Sequence, residues 1–193
     1  MMKPILLPAL LSFALAGEAG ATEWKVLPES STLTVTGEYF FDFGAGAQAQ
    51  QTTVTFPYWE ADISFDPNNL AESRIHIVID LTFAKGASQN VTEEILGAEW
   101  FNVAKNRQAV FDSGFITFKG DNSYEAMGKL TLNGVTKDVV LPFEAVVGSS
   151  EASAKGSTVV MRNDFGIGAT TDANSVAYAV TVSFDLKATA LTN

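Results

Sequence analysis

Apolar side chains recur at every second position over long stretches of this chain, the spacing that gathers them on one face of a β-strand. From Val176 to Ala188, the residues Val176, Tyr178, Val180, Val182, Phe184, Leu186 and Ala188 alternate with smaller or polar neighbours, which predicts one long half-buried strand. The same period sets Ile75, Ile77, Ile79 and Leu81 opposite Arg74, His76, Val78 and Asp80. It also sets Val139, Leu141, Phe143, Ala145 and Val147 opposite a face that holds Asp138 and Glu144. Further strands are expected over 31–37, 51–65, 109–119 with a break at Ser113-Gly114, 123–132 and 157–162.

Turn chemistry separates these runs. Asp66-Pro67-Asn68-Asn69 and Gly120-Asp121-Asn122 supply turn residues, and Asn133-Gly134 is a strong hairpin signal because both residues tolerate positive φ. Only 88–96 invites a helix: Ser88 starts it, Glu93 and Glu94 are expected to complement its N-terminus, and Gly97 follows its end. The soft stretch 42–53, built of Gly, Ala, Gln and Thr, reads as a loop. Eight or nine strands, one short helix and no βα alternation favour an antiparallel barrel or sandwich.

Composition narrows the classes further. The 193 residues are 47% hydrophobic and 18% charged, the profile of one globular domain rather than of a disordered chain. A net charge of −10 leaves no basic stripe for a phosphate backbone, so nucleic acid is not an expected partner, and the same field opposes docking on anionic lipid. With no cysteine, thiol nucleophiles, thiolate zinc sites and iron–sulfur clusters are excluded. Lys3, an apolar run from Ile5 to Ala16 and the small-residue site Ala19-Gly20-Ala21 together read as a secretory signal peptide over 1–21, cleaved after Ala21. The run is shorter than the roughly 20 residues that span a bilayer, so no membrane insertion of the mature chain, 22–193, is expected.

Candidate catalytic chemistry is sparse. His76 is the single histidine and falls on a polar strand face, where a solvated or surface-paired role outweighs that of a catalytic base. Arg162, just before Asn163-Asp164-Phe165-Gly166, is the strongest single-residue candidate. It could contact a ligand head group, although an ion pair with Asp164 or another acid that pins the last hairpin is the favoured reading.

Four segments resemble the YceI-like family of exported lipid- and polyisoprenoid-binding proteins. They are Trp59 to Pro67, the stretch from Leu96 through Trp100-Phe101 to Ser113, Tyr124 to Lys137 with Gly128-Lys129-Leu130-Thr131-Leu132-Asn133-Gly134 at its centre, and Arg162-Asn163-Asp164-Phe165-Gly166-Ile167-Gly168. The N-terminal part differs, with Leu27-Pro28-Glu29-Ser30-Ser31 where family members commonly carry an Asp-x-x-His-Ser opening. The resemblance implies an all-β fold: an eight-stranded antiparallel, lipocalin-like barrel with one short helix in a connection. It further implies a non-enzymatic carrier in the periplasm that holds a long-chain isoprenoid, quinone or lipid-like molecule in the lumen, without a cofactor.

The inward positions then become the expected lining: Ile77, Ile79, Phe111, Leu130, Leu141, Phe143, Tyr178, Val180, Val182 and Phe184, with Arg162 as the head-group candidate. Composition does not distinguish a hollow barrel from a filled one, since an apolar side chain is stabilised equally by core or ligand. An exported hydrolase or isomerase using His76 and a solid-core interaction module therefore stay open, as does the choice between monomer and homodimer.

Overall fold

The computed structural model describes residues 20–42 and 46–191; positions 1–19 of the expected signal peptide lie outside them. Ten strands and one α-helix follow in chain order: β1 (Glu23–Val26), β2 (Thr32–Phe41), β3 (Gln48–Thr55), β4 (Trp59–Ser64), β5 (Arg74–Asp80), α1 (Gln89–Leu96), β6 (Gln108–Gly120), β7 (Ser123–Leu132), β8 (Val135–Val147), β9 (Glu151–Met161) and β10 (Ala179–Ala190). All pairings are antiparallel. Strands β1, β4, β5, β6, β7, β8, β9 and β10 pair in that order, and β1 closes the ring onto β10. Closure removes the unpaired edges that an open sheet of this size would present.

Two strands lie outside the ring. β10 is longer than its partner β1, which it meets only at Ala188, Thr189 and Ala190. Its other half, Thr181–Asp185, pairs instead with β2, which forms a hairpin with β3. The gap between β10 and β4 is thus filled by β1 at one end and by the β2–β3 hairpin at the other, so the barrel is narrow at the first end and wide at the second.

Local chemistry accounts for the elements. Asn133 and Gly134 take φ of 51° and 76°, which the β7–β8 hairpin needs. Ser88 caps α1 by accepting from the Val91 amide (3.3 Å), and Gly97 ends it. At the narrow end Trp24, Phe65, Tyr124 and Phe143 interlock: Trp24 Nε1 donates to Phe65 O (2.9 Å), and the Tyr124 and Phe143 rings stack at 5.4 Å. These groups and their aliphatic neighbours form the main core.

Several expectations need revision. The stretch 51–65 is two strands, because Pro57, which has no amide hydrogen to give a ladder, lies between them. The second half of the expected loop 42–53 is strand β3, whose backbone pairs with β2 despite its polar composition. Ser113-Gly114 does not break β6; it forms a bulge between Ser113 and Phe115. Glu93 and Glu94 lie beyond the first turn of α1, and Glu93 instead accepts from Gln89 Nε2 (2.9 Å). Strand β1 was not legible, since four residues are too few to display a period.

Candidate functional site

Inward positions of the ring enclose two chambers. The first, at the narrow end, has a volume of about 130 Å³. Ile77, Phe111, Leu141, Phe143 and Phe184 line it, with Trp24 and Trp59. The second, at the wide end beneath the β2–β3 hairpin and α1, measures about 700 Å³, within the roughly 300–1,000 Å³ typical of small-molecule sites. Val180, Val35, Val54, Ile95, Trp100 and Phe101 contribute to its wall. Leu33, Ile79, Leu130 and Val182 border both chambers, which therefore adjoin and share part of their apolar wall. The barrel is not solid.

Of the ten apolar positions expected to face the lumen, nine line it, and Tyr178 does not. Strand β10 begins only at Ala179, because the backbone before it is diverted: the Val176 and Ala177 carbonyls accept from Arg162, and the Ala177 amide bonds to Glu38 O (2.8 Å). Tyr178 turns its ring to the Arg162 guanidinium, 5.0 Å from the ring centroid.

Arg162 is 3% exposed, yet no carboxylate among the described residues lies within ion-pair distance of it. The expected pairing with Asp164 is absent. All five N–H groups donate to backbone carbonyls: Nε to Ala177 (3.0 Å), Nη1 to Ile167 (2.9 Å) and Gly168 (2.7 Å), and Nη2 to Thr171 (2.8 Å) and Val176 (2.8 Å). Trp100 covers another part of the group at 5.4 Å. Burial pulls the guanidinium below its usual value, against the nearby Tyr178 and Glu99, but arginine remains charged at any physiological pH. Although Arg162 borders the wide chamber, it has no N–H left for a head group.

The same segment explains a glycine. Gly168 has φ of 61°, and a Cβ there would overlap Arg162 Nη1. Glu99 ties this loop down: its backbone carbonyl accepts from the Gly168 amide (2.7 Å), and its Oε1 accepts from the Thr170 hydroxyl (2.7 Å) and amide (2.6 Å). The bond from the Thr170 hydroxyl, then that from its amide, hold the Glu99 carboxyl below the ordinary glutamate range.

Polar groups gather at one end of the lumen. Cross-strand partners on the inner face of the hairpin run from Val35–Val54 to Gly37–Thr52 to Tyr39–Gln50, and all six border the wide chamber. The first pair was readable from strand periodicity at Leu33 and Val35; the polar members were hidden by the loop-like composition of β3. His76 lies elsewhere. It sits on β5 with its Nδ1 2.5 Å from Asp112 Oδ1, both side chains well exposed, and it borders neither chamber. No group of three or more His, Cys, Asp or Glu among the described residues is arranged to hold a metal ion.

Other proteins resemble this chain in sequence or in fold. A UPF0312 protein of Vibrio vulnificus is 30% identical over 118 residues, 58% of this chain, and the match spans 62% of that relative's length. A UPF0312 protein of Serratia proteamaculans is 30% identical over 124 residues, covering 61% of this chain and 63% of its own. Among solved structures, BcnA of Burkholderia cenocepacia superposes with a TM-score of 0.73 at 24% identity, covering 84% of this chain and 98% of its own. A polyisoprenoid binding domain from Saccharophagus degradans, implicated in plant cell wall breakdown, superposes with a TM-score of 0.63 at 14% identity, covering 88% and 99%. The YceI-like domain model matches residues 24–188, which takes in all ten strands but Glu23 of β1 and the last two residues of β10, and the chain belongs to the YceI-like family.

Proposed function

We propose that this protein is an exported, non-enzymatic carrier that shields a long apolar molecule, an isoprenoid, quinone or similar lipid, inside its barrel. The observation that carries this reading is the pair of adjoining, largely apolar chambers inside the barrel. The polyisoprenoid binding domain of Saccharophagus degradans, which has the same fold, supports the ligand class. Each methylene moved from water into such a lumen contributes about 0.8 kcal/mol, so ten give roughly 8 kcal/mol. Association costs about 4–15 kcal/mol, so only long chains are retained.

Residence in the periplasm after cleavage behind Ala21 agrees with the sequence at 1–21, and no helix among the described residues is long and apolar enough to cross a membrane. His76 on the outer wall offers no contact with a molecule in the lumen. The test is organic extraction and mass spectrometry of protein purified from its own periplasm. A stoichiometric apolar molecule, released without breaking a covalent bond, is expected. An empty protein that also fails to take up prenyl hydrocarbons would refute the carrier role.

A further inference from the structure

We infer that the lumen is built for an uncharged head group, hydrogen-bonded at Thr52 in the wide chamber, and that it discriminates against phosphorylated lipids. This rests on the carrier reading and extends it to the chemistry and orientation of the cargo.

Thr52 lines the wide chamber, and its Oγ1 is shut off from water and has no hydrogen-bond partner; it is the one such side-chain atom among the described residues. A buried hydroxyl left unpaired is unfavourable, so one carried by a residue of the chamber wall marks a place where rotation about χ1 lets a polar atom of a guest complete it. Its cross-strand neighbour is Gly37, whose φ does not demand glycine and whose Cβ would make only an ordinary 3.5 Å contact with Val180. The missing side chain leaves a notch beside the hydroxyl. Below this level, Val35 and Val54 continue the wall as apolar surface, and the narrow chamber beyond is lined almost wholly by apolar side chains. The head therefore lies at Thr52 with the tail directed towards Phe143.

The charges bordering the chamber favour a neutral head. Arg162 is the cation there, but its five N–H groups are held by carbonyls, and turning one to a phosphate would strand a buried carbonyl. The other charged side chain on the wall is Glu94, which repels an anion. A hydroxyl or carbonyl head meets neither obstacle, and a threonine hydroxyl can donate to one or accept from the other.

The test measures quenching of the three tryptophans, which all border the lumen, by geranylgeraniol, geranylgeranyl phosphate and the headless hydrocarbon of the same chain. The full-length mature protein binds the alcohol at least tenfold more tightly than the phosphate. Thr52→Val, which keeps the β-branched shape, weakens the alcohol by roughly three- to tenfold, leaves the hydrocarbon unchanged and leaves the melting temperature at or above wild type. Glu94→Gln improves the phosphate without altering the hydrocarbon. Phosphate binding equal to or tighter than the alcohol, or an equal effect of Thr52→Val on alcohol and hydrocarbon, overturns the head-group assignment while the carrier role stands. Failure of all three probes to bind overturns the carrier role, and the assignment with it.

Discussion

Arg162 is a buried cation held by backbone dipoles rather than by a carboxylate at ion-pair distance. Five carbonyls from three short backbone stretches converge on one planar group, so the side chain fixes the path from β9 to β10. Arg162→Ala leaves those carbonyls without donors and is expected to cost about 3 kcal/mol or more. For a chain of this size that corresponds to a fall of roughly 6–12 °C in Tm. Lysine should rescue little, because an ammonium cannot reach five acceptors in a fork. A ligand-free Tm that did not move would contradict this structural role. Gly168→Ala is expected to destabilise by the same route, as the new Cβ displaces Nη1. At the junction of the two chambers, Val182→Asp buries a carboxylate in apolar surroundings at a cost of several kcal/mol unless it protonates. Its Tm should drop and its extracted lipid disappear; an unchanged melt with full lipid content would show that this face is not interior in solution.

Among the elements, the β7–β8 hairpin and the 168–171 loop make separate predictions. Gly134→Val places a β-branched residue at φ of 76° and should lower stability by at least about 1 kcal/mol in denaturant titration, whereas Asn133→Gly keeps the turn. Glu99 has a folded-state value below its unfolded one. Its contribution is therefore present above the unfolded value and lost as pH falls through the folded one. Melting curves through the acid range should show Glu99→Gln with a shallower pH dependence than wild type. The strands most readable in the sequence are those with one wet and one apolar face: β7 is found where expected, and β5 differs only by its last residue. Where the fold departs from period two it was hidden, as at Tyr178, whose apolar spacing continues β10 although its ring serves Arg162. The apolar lining was legible for the same reason that the strands were. Thr52, Gln50 and the carbonyl cage of Arg162 were not, because their roles depend on pairing between distant backbone segments, which no local pattern encodes.

At the scale of the whole molecule, the ring and the hairpin are held by different bonds. The eight-stranded ring is closed by backbone ladders on both edges of every strand, whereas β3 bonds to β2 on one edge and meets the rest of the protein on the other through the Thr55–Lys85 bridge. Amide hydrogen exchange should therefore be faster along β3 than in β7, and uptake of a prenyl guest should slow it. Equal protection of the two strands would mean that the hairpin opens only with the ring. Because that hairpin roofs the larger part of the lumen, the proposed carrier is expected to release its lipid through an opening of the hairpin that leaves the global fold intact. Lys85→Pro, which deletes one amide of that main-chain bridge, is then expected to shorten residence time many-fold with a much smaller change in Tm, so that how long a lipid is kept and how well the protein survives heat become properties that vary independently.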